Sequence, residues 1–275
     1  MTARTPVPAV VRALRAPVRA LVQAVAAAVV RAQRRLRPGA VTRKGFGDFV
    51  TAVDVAAERR LRAGLQRLLP DAGFLGEETP PRDLDRSWLW VVDPIDGTSN
   101  YARGLPCFSV AVALLHERSP VLACVHCQPE AALYEAVRRG GAFRNGRRLR
   151  QPAGRLDDGA LLGCQWFRDE RRADLLPALQ RRGARIRTFG STVGQLIDVA
   201  AGRLDGNVQQ QGRIWDLAAP GLILLEAGGC FTDWAGRPVF PLPSLRVGHT
   251  ATIGASPGVH RGLRCLLRSV VVPDP

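Results

Sequence analysis

Two aspartates three residues apart, Asp93 and Asp96, stand where an apolar run ends, in Asp93-Pro94-Ile95-Asp96-Gly97-Thr98. Carboxylates aimed into one crevice repel each other unless a cation lies between them. Hard oxygen donors at this density suit Mg²⁺, which takes one or two carboxylates, waters and the phosphate oxygens of a substrate. Gly97-Thr98 is placed to open a short helix, whose free N–H groups and positive dipole end bind phosphate. A metal site and an anion site would then lie side by side. Read from local physics alone, the same acids could equally do no more than cap a turn. Glu77-Glu78 and Asp216 also sit at the ends of apolar segments. Paired Glu residues in loops are usually solvated, so their weight comes from the combination.

Elements must position these groups. Residues 88–92 form an unbroken apolar run, the pattern of a strand buried on both faces, and it carries Asp93 to its C-terminal end, the usual edge for a site in α/β architecture. Phe74-Leu75-Gly76 leads into Glu77-Glu78. Upstream, Val7, Val10, Val11, Leu14, Val18, Leu21, Val22, Val25 and Val29 recur at helical spacing. Pro8 and Pro17 interrupt the early part, so the spacing predicts a continuous helix over 18–36, ended by Pro38-Gly39. A loop with Lys44-Gly45-Phe46-Gly47 and a short segment 48–53 come next. A helix then starts with Asp54 as N-cap and Glu58 in its early turns. Strand signals at 108–115, 121–127 and 132–137 complete an antiparallel sheet.

The second half alternates strand and helix: strands at 160–164 and 185–188, helices at 169–182 and from Gly190-Ser191-Thr192 to Ala201. An apolar helix over 216–226 is capped by Asp216 and ended by Gly228-Gly229. These patterns predict a basic extension over 1–17, an α+β lobe with the metal site over 18–150, and an α/β lobe over 151–275 that completes it.

Composition bounds the reading. The chain has 275 residues, 46% of them hydrophobic and 23% charged, which excludes intrinsic disorder and allows a sizeable core. Glycines and prolines are scattered, which excludes collagen-like and coiled-coil chains. The apolar stretch 20–30 is interrupted by Gln23 and too short to span a bilayer, so no transmembrane helix is expected. The formal charge of +15 is uneven: residues 1–44 carry nine Arg, Lys44 and no acid. A nucleic-acid or anionic-membrane partner would therefore bind mainly through this arm. The same acid-free start resembles an organelle transit peptide, but the first helix of the fold with a ragged extension is the preferred reading. Lys44 is the only lysine among 39 basic residues. Either chance kept it, or the position needs a compact ammonium where a planar guanidinium would not fit.

The six cysteines lie in apolar segments without paired spacing, which points to reduced thiols and a cytoplasmic protein. Cys124 and Cys127 fall on one strand at odd spacing, so they should face opposite sides and bind no metal together.

Gly76-Glu77-Glu78, the segment from Trp90-Val91-Val92-Asp93-Pro94-Ile95-Asp96-Gly97-Thr98 to Tyr101, and Trp215-Asp216-Leu217-Ala218-Ala219 through Gly228-Gly229 resemble the signatures of the inositol monophosphatase family. Lys44 with Asp48 to Asp54, and Gly140-Gly141-Ala142-Phe143-Arg144-Asn145-Gly146, resemble two further family segments. The resemblance runs from about Ala20 to Cys265 in the family's order. It implies a layered α/β/α/β/α sandwich and Mg²⁺-dependent, often Li⁺-sensitive, hydrolysis of small phosphate monoesters, with two to three ions and a homodimer. Carried over by motif, Glu77, Asp93 and the Ile95 carbonyl would hold one ion, and Asp93, Asp96 and Asp216 the second. Glu77 and Thr98, the latter oriented by Asp54, would position the attacking water. The Gly97 and Thr98 amides would grip the phosphate, and Lys44 matches a lysine near the metal loop.

The chemistry is consistent with that picture, because a phosphate monoester and hydroxide are both anionic and catalysis must neutralise charge and align the nucleophile. No Cys, Ser or His nucleophile is required, and the four histidines lie outside the motifs. Substrate choice in the family rests partly on Gly190-Ser191-Thr192 and on an acid seven residues before Asp216. Here that position is Gln209, which lacks the charge for a charge-assisted hydroxyl contact and puts inositol 1-phosphate in doubt. The alternatives are histidinol phosphate, fructose 1,6-bisphosphate or a 3′-phosphoadenosine nucleotide on the same fold. A regulator that binds nucleic acid or membrane through the basic arm is the reading from another class.

Overall fold

The computed structural model describes residues 9–35, 41–45, 48–157, 159–164, 175–245 and 248–270. In chain order the first half holds α1 (Ala9–Gln33), β1 (Val41–Gly45), β2 (Asp48–Thr51), α2 (Ala52–Leu68), β3 (Gly73–Gly76), β4 (Trp88–Asp96), α3 (Thr98–Ala102), β5 (Ser109–His116), β6 (Ser119–Cys127), β7 (Ala132–Val137), β8 (Gly141–Arg144) and β9 (Arg147–Arg148). The second half holds β10 (Leu161–Cys164), α4 (Leu175–Arg181), β11 (Arg185–Arg187), α5 (Thr192–Ala200), β12 (Gly206–Gly212), α6 (Ile214–Glu226), β13 (Cys230–Asp233), β14 (Thr250–Ala255) and α7 (Pro257–Val270).

These elements stack in five layers, α/β/α/β/α, as the resemblance implied. A seven-stranded sheet runs in the order β3 to β9, with β3 parallel to β4 and the remaining pairs antiparallel. A five-stranded sheet has the order β11-β10-β12-β14-β13. α1 and α2 cover one face of the larger sheet, α5 and α6 fill the space between the sheets, and α4 and α7 cover the far face. β4 shows why its residues read as a continuous apolar run. Trp90 and Val92 enter the core beneath α1 and α2, while Leu89 and Val91 enter the core between the sheets. Cys124 and Cys127 likewise fall in different cores, on opposite faces of β6 as expected.

The first helix departs from expectation. It begins at Ala9, not near Val18, and runs through Pro17 to Gln33. An interior proline removes one helical hydrogen bond and crowds the preceding turn. Here Val11 and Leu14 are buried in the same core as Val18, Val22, Val25 and Val29, and that packing outweighs the proline. Residues 9–17, read from the sequence as an extension, are therefore the first turns of a core helix. At 25 residues α1 is the one helix among those described that is long and apolar enough to cross a membrane. Its apolar stripe lies instead against α2 and the sheet. Two arginines of the basic arm are also internal contacts: Arg15 Nε (3.0 Å) and an Arg19 guanidinium nitrogen (2.9 Å) reach the buried Glu135 of β7.

Two helix starts are corrected as well. α2 is capped by Thr51, whose hydroxyl accepts from the Val53 N–H, and Asp54 sits in the first turn of the helix and reaches back to the Thr51 N–H. α6 begins after Arg213, and Asp216 takes the same first-turn position, accepting from the Arg213 N–H at 2.8 Å. The capping-box geometry explains both, since the third helical residue of the box bonds the cap's backbone. Of the helix expected over 169–182, residues 169–174 lie outside the described residues, and the described part is α4.

Candidate active site

Alternation along a strand would send residues three apart to opposite faces. Asp93 and Asp96 escape this because β4 continues through both of them with a bulge. Asp93 pairs with Ala111 and Asp96 with Ser109, so three steps on β4 span two on β5. One extra residue resets the alternation and re-aims a side chain. Pro94 is tolerated there because a bulge frees it from the ladder. The result is a cluster in which one carboxylate oxygen from each of Asp93, Asp96 and Asp216 lies within 4.8 Å of the others. Asp93 and Asp96 are buried, Asp216 partly so.

Gly97 turns the chain from β4 into α3 at φ 87°, and a Cβ there would stand 2.8 Å from the Cys107 carbonyl oxygen. Only glycine fits that left-handed, crowded position. The next residue, Thr98, sets its hydroxyl between Asp54 Oδ1 (3.1 Å) and the Ile95 carbonyl (2.9 Å). One proton serves one of these acceptors at a time. Asp54 is fixed from its other side by the Thr51 N–H and hydroxyl, so the first turn of α2 holds the orienting carboxylate rigidly.

Asp96 bridges the two halves of the chain. Its carboxylate accepts from the Ser191 hydroxyl and from the amides of Thr192 (3.0 Å), Val193 (3.1 Å) and Gly194 (3.4 Å), the start of α5. Ser191 is the N-cap of that helix, and Gly190 precedes it with a positive φ. Thr192 Oγ1 in turn accepts from Gln209 Nε2 at 3.2 Å. Gln209 is fully buried on β12, so it meets the site through Thr192. Glu77 follows the last residue of β3, which pairs with Val92, and this brings it beside Asp93. Lys44 belongs to β1, and its side chain lies outside the described part of the structure. Of the residues expected from the sequence, Asp54, Thr98, Ser191, Thr192 and Asp216 are brought to Asp93 and Asp96 at the end of β4, and Gln209 adjoins Thr192 behind them.

Burial pushes the Asp93 carboxyl well above the usual carboxylate range, and the charges of Glu77, Asp96, Asp216 and Asp54 push it further. Asp96 is raised to about 6 by burial, against the opposing hydrogen bonds from Ser191 and the α5 amides. Burial also raises Asp54, opposed by Thr51 and Thr98. Oxygen donors packed this closely, disfavouring one another's charge, are the environment that a hard divalent cation relieves. The donor set fits Mg²⁺. Sequence reasoning missed one neighbour, the buried carboxylate of Glu58, which reaches the Glu77-Glu78 backbone. Glu58 read as an early-turn helix acid, and nothing in its local pattern marked it as buried.

Comparison with known proteins bears on what this arrangement is. A family model described as the inositol monophosphatase family matches residues 13–269. An inositol-1-monophosphatase from Rhizobium meliloti is 40% identical over 202 residues, covering 71% of this chain and 76% of its own. A Nus factor SuhB from Pseudomonas aeruginosa is 35% identical over 231 residues, 80% of this chain and 84% of its own. Among solved structures, the extragenic suppressor protein suhB from Bartonella henselae matches with a TM-score of 0.85 at 29% identity, over 94% of this chain and 100% of that one. Layered fold, acidic cluster and relatives together define a phosphatase. The chain belongs to the inositol monophosphatase family.

Proposed function

We propose that this chain is a Mg²⁺-dependent phosphomonoesterase that hydrolyses a small phosphate monoester by direct attack of water. The observation that carries this is the convergence of Asp93, Asp96 and Asp216 at the β4 bulge, next to the Asp54–Thr98 pair. Glu77, Asp93 and the Ile95 carbonyl would hold one ion, and Asp93, Asp96 and Asp216 a second, in a set of two to three. Bound there, Mg²⁺ neutralises phosphate charge and lowers the pKa of a neighbouring water. The residues do the rest. Asp54 accepts the hydrogen bond of the Thr98 hydroxyl, which leaves the Thr98 oxygen to accept from the attacking water; Glu77 receives the proton that water gives up, and the departing alkoxide takes a proton from solvent. The Gly97 and Thr98 amides would orient the phosphate, and Lys44 matches the family's lysine near the metal loop. The site would be shared between lobes over 18–150 and 151–275.

Thr98→Val keeps the shape and deletes the hydroxyl, so kcat should fall by roughly a hundredfold or more, the usual size of a lost positioning group. Thr98→Ser should recover most of the activity, and the circular dichroism of both variants should match the parent. Equal kcat in Thr98→Val would remove Thr98 from the mechanism.

Inositol 1-phosphate is the leading substrate class through the relatives, with histidinol phosphate, fructose 1,6-bisphosphate and 3′-phosphoadenosine nucleotides as the alternatives. Phosphate release from these four, with Mg²⁺ titrated and Li⁺ added, tests the proposal. Mg²⁺-dependent, Li⁺-inhibited turnover of one of them supports it, and silence from folded, Mg²⁺-loaded protein overturns it. Gln209→Glu reverses the polarity of the bond to Thr192, because a carboxylate can only accept. Relative kcat/KM should then move toward polyol phosphates, and an unchanged substrate ranking would deny position 209 a part in selection.

The homodimer gains support from Leu105 and Phe189, two exposed apolar side chains whose backbones Asn100 draws together. A cytoplasmic location is supported by six free thiols. A nucleic-acid or membrane role for the basic arm has weaker support, because Arg15 and Arg19 are committed to Glu135.

A further inference from the structure

α2 carries a second buried carboxylate one turn beyond Asp54. Glu58 is fully buried, and its Oε2 accepts a hydrogen bond from the Glu78 N–H at 2.8 Å. Its Oε1 is buried without a hydrogen-bond partner. The carboxylate fits only because residue 76 is glycine, where a Cβ would stand 2.4 Å from Glu58 Cδ and from Oε2. Burying a carboxylate costs more than one amide contact returns. Stability therefore does not account for Glu58, and position does. The β3–β4 ladder ends at Gly76 opposite Val92, so the Glu78 N–H has left the sheet and needs another acceptor. Glu77 lies between that last ladder pair and the Glu58-bound amide.

We propose that Glu58 is a positioning residue for the reaction, holding the Glu78 backbone so that the Glu77 carboxylate stays directed at the Asp93 cluster. Asp54 and Glu58, four residues apart on α2, then form one device: the first fixes Thr98 and the second fixes Glu77. The inference rests on reading Glu77 as a metal ligand.

Mn²⁺, a paramagnetic stand-in for Mg²⁺, is titrated into the full chain and its Kd read from the free-ion resonance. Amide exchange at Glu78 and steady-state kcat and KM are measured on the same preparations. Glu58→Gln keeps a carbonyl acceptor in place, so its Kd should stay within about threefold of the parent. Glu58→Asp keeps the charge but is one methylene too short. Its Kd should weaken by about tenfold or more, the usual loss when a ligand's supporting hydrogen bond is removed. Exchange at Glu78 should quicken, and kcat should fall more than KM changes. Unchanged Mn²⁺ binding in Glu58→Asp, even with a lower Tm, reduces Glu58 to a structural residue and overturns the proposal. So does a loss in Glu58→Gln as large as that in Glu58→Asp. Glu77→Gln, run alongside, should lose at least as much affinity as Glu58→Asp. If it loses none, the ligand reading of Glu77 fails first, and the two failures are told apart.

Discussion

Asp93→Asn is expected to lower phosphate release by about a thousandfold or more, at the upper end for loss of a charge-stabilising group, while raising the thermal midpoint of the metal-free protein. Both effects have one cause. Asp93 is the carboxylate shared by both proposed ion positions, and it is also the one that four other carboxylates and burial disfavour most. Removing its charge deletes the shared ligand and relieves the repulsion together. The fold itself should survive, because Asn retains the Oδ1 that accepts the Ile95 N–H at 3.0 Å and so keeps the bulge closed. Thermal melts in chelator and phosphate-release assays in Mg²⁺ on the same preparation measure the pair. Near-parental turnover would sink the two-ion reading, and a lower midpoint in chelator would show that the cluster is not under electrostatic strain. A site that is unstable as built, and useful for that reason, is the pattern expected where function conflicts with local stability.

How much of this was legible in the sequence depends on the range of the interaction that decides each feature. Residues 88–92 read correctly as a buried strand because both faces of β4 meet apolar cores, and that leaves an unbroken run. Gly97-Thr98 read correctly as a helix start because Gly97 and the short α3 are local. The start of α1 was misplaced because Pro17 is a strong local signal, while the burial of Val11 and Leu14 against α2 and the sheet is tertiary. Asp54 and Asp216 were each read as N-caps. An aspartate in the first turn of a capping box carries the same composition signal as a cap, and only the backbone bonds from Thr51 and Arg213 distinguish them. The acids of the candidate site were found through their motif. The β4 bulge that lets two of them share a face, and the buried Glu58 behind Glu77, depend on pairing and packing that one sequence does not display.

The same electrostatics fix how Mg²⁺ and pH should act together. In the unfolded chain an Asp titrates near 3.8, whereas Asp96 in the fold is raised to about 6. Between those values the folded protein keeps a proton that the unfolded chain has lost, so in chelator this group's contribution to stability falls as pH rises. The slope is about 1.4 kcal/mol per pH unit for each such proton, and the loss is complete above the folded value. Asp93, raised further by burial and its neighbours, carries the same sign to higher pH. Mg²⁺ competes with these protons and should bind more tightly as they leave. At a hundred times its Kd, a ligand specific to the fold adds about 2.7 kcal/mol. For a chain of this size that is a rise in midpoint of roughly 5–10 °C at pH 7.5. At pH 5 Asp96 is largely protonated, and the same Mg²⁺ concentration should give less than half the shift. Melts at pH 5.0, 6.0 and 7.5, each with chelator and with Mg²⁺, isolate the effect, because subtracting the paired curves cancels titrations elsewhere in the chain. A Mg²⁺ shift that is equal at all three values would mean that the ion binds away from Asp93 and Asp96. In Asp93→Asn the shift should shrink at every pH while the part of its pH dependence that Asp96 carries remains, and the shrinkage ties the thermal behaviour to the same carboxylate that the activity requires.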